Sequence, residues 1–468
     1  MRIIDIYKWL RQQGYQANDT MSGYVRLWRS WYVGKVKNFH NYQVYNGENL
    51  VECHRLSLCM AKQVCQDWAD LLLNEKVKIN HPDKRTQDFL VSVLDDNHFW
   101  VRGNQAIEDA FWSGLIACIP FPDGIKTTDN GRIESADRLK MTFYVGNQII
   151  PLSIDNGECT ECAFAYECRV NNTTYVILRL CVLEDGKYVV YNRVFDKNTE
   201  NEVEDFSSIP GLQHLVPVWI TESALRPFLF IKPNNKNSID GSSPFGMAIF
   251  SGAIDILKGL DTVYDAYINE YMTGKTRIIA SAETVNFKNG KPVFDPDDTI
   301  FYRLPSSPKN DAKLEFIQPD IRPMTTGIED NLNLLSMRCG FGERHYHFAG
   351  GSVTTATQVI SENSHMFRTL KKHEIILDAF FKDLCRLLIH YGKCYLNVAL
   401  TDELVTVDFD DSIIEDKQSV YNDMRLDVSA GLLKPELYIM KKYNVSQEEA
   451  RSMIPNVQPE YIFGGVAE

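Results

Sequence analysis

Basic residues are scarce in this 468-residue chain: 49 Lys and Arg stand against 62 Asp and Glu, for a formal net charge of −13. A protein that grips nucleic acid over its whole surface needs cations to displace condensed counterions, so that class is excluded. A protein that surrounds DNA and lets it slide remains possible, because an acidic wall repels phosphate. The 11 cysteines are odd in number and irregularly spaced. They do not form a disulfide framework and fit a reducing cytoplasm. No run of ~18 apolar residues occurs, so no membrane-spanning helix is expected. The opening MRIIDIYKWLRQQG lacks an apolar core followed by a small-residue cleavage site, so no secretory signal is expected. Internal repeats and low-complexity segments are also absent.

Complete catalytic motifs are missing as well. Gly274-Lys275-Thr276 resembles the end of a phosphate-binding loop, but Asn269 stands where the first glycine belongs. The local order, helix then strand, is also the reverse of what such a loop requires. His373-Glu374 begins a zinc-protease pattern that fails at Leu377. With Glu362, His365 and His390, these residues are expected to be solvated or interfacial positions on one long helix. Cys159 and Cys162 form one CxxC, but a zinc ribbon needs a second. Cys168 and Cys181 fall on or beside predicted strands, where cysteine behaves as a small hydrophobe. There is no nucleophile elbow and no Cys/His pairing in the context of a known catalytic family. Carboxylates are abundant enough to pair by chance, and their number alone does not eliminate a metal-dependent nuclease. The expectation is a non-enzyme with no cofactor and no catalytic or metal site.

The chain is 44% hydrophobic and 11% aromatic, with 22 Tyr and 24 Phe. That is ample for two to four folded domains, with aromatics to spare for interfaces. Apolar periodicity predicts helices over 3–14, His54–Glu75, Asp83–Asp95 and Phe99–Cys118. After Pro120 the pattern turns to strands at Met141–Val145, Ile149–Ser153, Thr173–Leu183 and Lys187–Phe195. Asp185-Gly186 is suited to a tight hairpin turn between the last two. A helix is predicted over Gly246–Tyr271, with Asp255, Lys258, Asp261, Asp265 and Glu270 on its polar surface. Short strands follow through Ile317, with Asn289-Gly290 as another turn. Thr326 and Glu329 have capping-box spacing for a second helix ending at Gly340. Thr355 and Gln358 cap a long helix expected to stop at Gly392. A strand at Val405–Phe409 and three small helices complete the chain.

Between the last two large helices lies Gly342-Glu343-Arg344-His345-Tyr346-His347-Phe348-Ala349-Gly350-Gly351. Glycines permit mobility, and aromatics with Arg can touch nucleic acid without reading sequence. The same residues also suit a turn with its aromatics packed on the core. Both readings stay open at this level.

Three stretches, in this order and spacing, resemble the portal proteins of tailed double-stranded-DNA bacteriophages of the long-tailed type. They are Ala69–Glu75, Gly252–Asp261 through Arg277-Ile278, and Thr355–Val359 through Ser364 with Lys371–Glu374. The family usually has Glu where Gln358 stands, and Gln also serves as a cap. The resemblance covers most of the chain and is weakest over 1–50 and 120–240. It implies an α+β, mostly helical portal fold with long stem and wing helices, a β-rich wing part at about 120–240 and a small α/β clip. Its implied parts are a wing (1–245), stem helices (246–273 and 323–340), clip (274–322), tunnel loop (341–354), long wing helix (355–392) and crown (393–468). It further implies a homo-oligomeric ring of about twelve copies at one capsid vertex, assembled in the host cytoplasm, with no membrane. Double-stranded DNA would pass through without sequence specificity. Terminase, major capsid, scaffolding and head-completion or adaptor proteins would be its partners. Arg344, His345, Tyr346, His347 and Phe348 become candidates for the channel loop. Phe287, Lys288, Asn289, Lys291 and Phe294 become candidates for clip contacts. Twelve such chains would carry a formal charge of about −156, which suits a non-sticky channel. The competing expectations are a minor capsid or adaptor protein and, from the enzyme class, a packaging-motor subunit.

Overall fold

The computed structural model describes residues 3–73, 77–127, 132–206, 209–212, 215–273, 277–281, 287–288, 291–292, 301–304, 315–317, 322–347, 356–409, 417–443 and 447–454. The fold is α+β. The chain divides into two compact units, residues 1–353 with 364–409, and residues 354–363 with 410–468. The first unit contains α1 (Ile3–Gln12), α2 (Thr20–Tyr32), α3 (Met60–Leu72), α4 (Lys84–Asp96), α5 (Phe99–Ser113), α6 (Ile254–Thr273) and α7 (Arg322–Arg338). It also holds most of α8 (Ala356–Tyr395), whose 40 residues span ~60 Å. The second unit contains α9 (Lys417–Ser429), α10 (Pro435–Tyr443) and α11 (Gln447–Met453).

Apolar spacing decides which faces are buried. In α3, Ala61, Val64, Cys65, Trp68 and Leu72 recur three and four residues apart, and all are buried. In the strand Thr173–Glu184, alternate residues face opposite ways. Val176, Leu178, Leu180 and Val182 join Ile6, Tyr7 and Leu10 of α1 in one core. Ile177 belongs to a second core with Val194, Phe206, Leu212 and Leu215. This strand is the centre of a five-stranded antiparallel sheet ordered 218–220, 187–196, 173–184, 158–170 and 149–155. Asp185 (φ 49°) and Gly186 (φ 77°) make the expected two-residue turn between paired Glu184 and Lys187. Cys159, Cys162 and Cys181 are buried on these strands.

Several boundaries differ from the sequence expectation, each for a local reason. The helix expected to reach Cys118 ends at Ser113, where Gly114 adopts φ 81° and donates to the Ala110 carbonyl at 2.8 Å. Ile116–Asp123 is then a strand of a three-stranded sheet; its fully buried start has no period that separates helix from strand. The helix expected from His54 begins at Met60, and Leu50–His54 pairs with Asn41–Tyr45 as an unforeseen hairpin. Residues 246–249 are not helical. Gly246 N–H donates to the Gly114 carbonyl and Ile249 N–H to the Phe111 carbonyl, at 2.9 and 2.8 Å. This tie to the end of α5 delays helix formation until a short 3-10 turn, Ser251–Ala253.

Thr326 does not cap α7. The helix opens at Arg322, with Pro323 in its first turn where no amide partner is needed, and the Thr326 hydroxyl donates back to the Arg322 carbonyl. Gly392 does not stop α8. A Cβ there would lie 2.6 Å from Phe89 and 2.8 Å from Leu400, so the glycine serves close packing inside the helix. Thr355 and Gly274 to Thr276 lie outside the described residues.

The junction at Gly114 yields a test. A Cβ at Gly114 would fall 2.7 Å from the Gly246 carbonyl oxygen, at a positive φ. Gly114→Ala should cost roughly 3 kcal/mol of stability in a urea titration, from strain and overpacking together. Gly252→Ala, with open space around it, should stay within about 0.5 kcal/mol of the parent.

Candidate functional site

The segment expected to carry function begins with the pair α6 and α7. They run antiparallel, with Gly259 facing Asn331 and Val263 facing Gly327. Beyond this contact α6 is exposed at Tyr271 and Met272, and α7 at Leu334 and Met337.

A carboxylate fixes the start of α6. Asp261, expected on the polar surface, is 4% exposed. Its Oδ1 accepts the Leu58 amide at 2.8 Å, and its Oδ2 accepts from the Ser57 hydroxyl at 3.0 Å and from His40 Nε2 at 2.9 Å. His40 Nδ1 accepts the Val36 amide at 2.8 Å, so the ring proton sits on Nε2 and points at the carboxylate. One helical turn on, Asp265 accepts the Leu56 amide at 3.0 Å. Two acidic residues of α6 thus hold the segment 36–58. A buried charge is tolerated when hydrogen bonds replace its lost hydration in this way. Sequence reasoning missed the site because Asp261 falls among acidic residues that look solvated. The one available signal was its place beside Leu260 and Leu257, which are buried.

The loop after α7 is folded onto α3. Phe341 stacks with Trp68 at 4.6 Å and with His345 at 4.2 Å, and Tyr346 meets the edges of both Phe341 and His345. The Tyr346 hydroxyl donates to Asp67 Oδ2 at 2.5 Å, and its amide donates to Ser336 Oγ at 3.2 Å. His345 Nε2 stands 3.8 Å from the same Asp67 oxygen, which is ion-pair rather than hydrogen-bond distance. The Trp68 indole N–H is satisfied by the Cys339 carbonyl at 2.9 Å. Burial works to raise the Asp67 pKa, but His345, Tyr346 and Gln63 outweigh it and hold the carboxyl below its ordinary value. Burial, then the bond to Asp67, pushes the Tyr346 phenol far above its usual range.

Of the loop residues singled out from the sequence, His345 and Tyr346 are drawn into this cluster. Arg344 and His347 are exposed outside the cluster, His345 is exposed within it, and His347 Nδ1 stands 3.0 Å from the Arg344 carbonyl. Phe348 lies outside the described residues. The second group is only partly described. Phe287 and Lys288 pair with Pro292 and Lys291 in a short hairpin, while Asn289 and Phe294 are not among the described residues. Next to this hairpin in the chain, Arg277–Ser281 pairs parallel with Phe301–Leu304 and antiparallel with Glu315–Ile317.

His373 corrects another expectation. It is buried rather than solvated, 5.3 Å from the Trp68 ring, and its Nδ1 accepts the Asn234 amide at 3.0 Å. Burial and neighbouring Lys372 lower its pKa to about 3. Between pH 6.5 and about 3 only the unfolded chain takes up this proton, so acid weakens the fold across that window. His365 is exposed, as expected, and His390 is half-buried. Among the described residues no group of three or more His, Cys, Asp or Glu is arranged to hold a metal ion.

Two substitutions test these anchors. Asp261→Ala leaves His40, Ser57 and the Leu58 amide unpaired and should cost ~3–5 kcal/mol in urea unfolding; Asp255→Ala, on the exposed side, should change stability by less than ~0.5 kcal/mol. Tyr346→Phe should cost ~1–2 kcal/mol at pH 7. Asp67 contributes its stabilisation above its unfolded pKa near 3.8 and loses it as pH falls through the lower folded value. The difference between Tyr346→Phe and the parent should therefore shrink below about pH 3.8; a constant difference down to pH 3 would refute the carboxylate's part.

No curated protein matches this sequence. A family model described as phage portal protein, SPP1 Gp6-like, matches residues 16–455 of the 468. With nearly the whole chain covered, the helix pair, its β insert and the loop folded onto α3 are parts of a phage portal protein, and the chain belongs to that SPP1 Gp6-like family.

Proposed function

We propose that about twelve copies of this chain close into a ring at one capsid vertex. Double-stranded DNA passes through the centre during packaging and ejection. The ring is assembled in the host cytoplasm among major capsid and scaffolding proteins. It docks terminase first and head-completion or adaptor proteins later. The family is structural rather than catalytic, and the chain acts as a conduit, not a motor.

One observation carries this reading: the chain order of α6, short strands, α7, an anchored loop and the long α8. In a ring, a helix pair needs one face for its own partner and others for neighbours. The exposed Leu334, Met337, Tyr271 and Met272 supply apolar surface of that kind. Residues 1–245 with 355–392 then act as wing, 246–273 and 323–340 as stem, 274–322 as clip, 341–354 as tunnel loop and 393–468 as crown. Phe287, Lys288, Asn289, Lys291 and Phe294 form the docking edge of the clip. In the loop, Arg344 and His347 are the groups that touch passing phosphate, since His345 and Tyr346 are engaged with Asp67. The cluster on α3 holds their backbone in place.

The test is the double variant Arg344→Ala/His347→Ala in phage. Rings of normal native mass are expected, with genome retention falling several-fold. Normal packaging and retention would sink the contact with DNA. A parent protein that stays monomeric, with no ring in negative-stain images, would sink the portal reading itself.

A further inference from the structure

The described helices of the second compact unit bury few of their side chains. Among its described side chains only Ala450 is fully buried, and α10 has no buried residue. Leu426, Leu432, Leu437, Tyr443 and Met453 are exposed. Apolar side chains left in water on short helices contribute nothing to offset chain entropy, so the exposed leucines of the described helices are surface available for contact.

The pattern of exposed residues says which contact. On α9 the half-buried Tyr421, Met424 and Val428 share one side, and the Tyr421 hydroxyl reaches the Lys441 carbonyl of α10. The opposite side of α9 presents Asp423, Leu426 and Asp427, one helical turn apart and all exposed. On α10, Leu437 and Lys441 share the outer face, and Lys434 precedes the helix by one residue; all three are exposed. One helix thus offers a leucine flanked by acids, and the other a leucine flanked by lysines. The ion pair given to this unit, Arg451 with Glu436, uses neither face. Among the described residues none of Asp423, Asp427, Lys434 and Lys441 has an ion-pair partner.

We propose that the Asp423–Leu426–Asp427 face of α9 in one copy packs against the Lys434–Leu437–Lys441 face of α10 in the next copy. Two different patches on one chain that complement each other make a head-to-tail contact, the kind that closes into a ring. Opposite charges flanking each leucine set the register, and like charges reject α9 on α9 or α10 on α10. Duplex DNA does not suit the α9 face, whose carboxylates repel phosphate. The inference rests on the ring reading above and adds the surfaces that meet within it.

Hydrogen exchange on the full chain tests it, with rings and monomers separated by size. Amides of α9 and α10 should exchange about tenfold or more slowly in the parent ring than in the monomer. The variant Asp423→Lys/Asp427→Lys should lose that protection, as should Lys434→Glu/Lys441→Glu. The four-fold variant carrying all these changes restores opposite charge at every contact and should regain it. Equal exchange in parent ring and monomer would overturn the proposal and leave the portal reading standing. So would two-fold variants that behave as the parent, or a four-fold variant that does not recover. Protection that appears only after another protein or duplex DNA is added would assign these faces to that partner instead. A parent chain that forms no ring would remove both readings together.

Discussion

A buried carboxylate is costly unless hydrogen bonds replace its lost hydration. Asp261 meets that condition through Leu58, Ser57 and His40, and the rest of the helix pair depends on it. Three donors from one segment of chain converge on one side chain of α6, and Asp265 repeats the device a turn later. The bond from the Val36 amide fixes which nitrogen of His40 carries the proton. The start of α6 is thereby set in both position and rotation. The contacts with α7 lie on either side of Asp261, at Gly259 and Val263, and α7 leads to the point where the loop begins.

The loop itself shows how two uses of aromatic residues are separated. Phe341, His345 and Tyr346 look alike in sequence to Arg344 and His347 as a set of residues able to meet DNA. Stacking on Trp68 and the bond to Asp67 commit the first three to the body of the protein. The phenol can donate to a carboxylate there because the site is mostly shielded from water, which strengthens the bond. Arg344 and His347 remain outside the cluster, a cation and an imidazole exposed on a fixed backbone. A loop held in this way presents charge at a defined place without the entropy loss that a free loop suffers on contact.

Family membership and charge pattern agree on the kind of molecule this is. An acidic surplus of 13 formal charges is in keeping with the proposed passage of a polyanion, whose phosphates it repels. The same surplus would tend to separate neighbouring subunits, so contacts between copies need local pairing of opposite signs or buried apolar surface. Both occur on the described surface: apolar residues on α6 and α7, and acid and lysine faces on α9 and α10.

The sequence by itself determined the element types wherever one period held over several turns. The stripe of α3, the Val- and Ile-rich run of Thr173–Glu184 and the Asp185-Gly186 turn follow from local chemistry alone. The order and spacing of short phrases pointed to the family, which a match over residues 16–455 shows. Boundaries were less legible because their causes lie far away in sequence. Gly114 and Gly246 meet across the fold, so a helix ends early and another begins late. Gly392 reads as a stop until Phe89 and Leu400 are seen to press on it from outside the helix. The same holds for the site. That the loop carries aromatics, Arg and His was plain from the sequence. Which of them pack and which stay free was decided by Trp68 and Asp67, some 270 residues away in the chain. Burial of Asp261 and His373 was likewise beyond the sequence, because a polar side chain looks the same there whether its partners come from solvent or from another part of the chain.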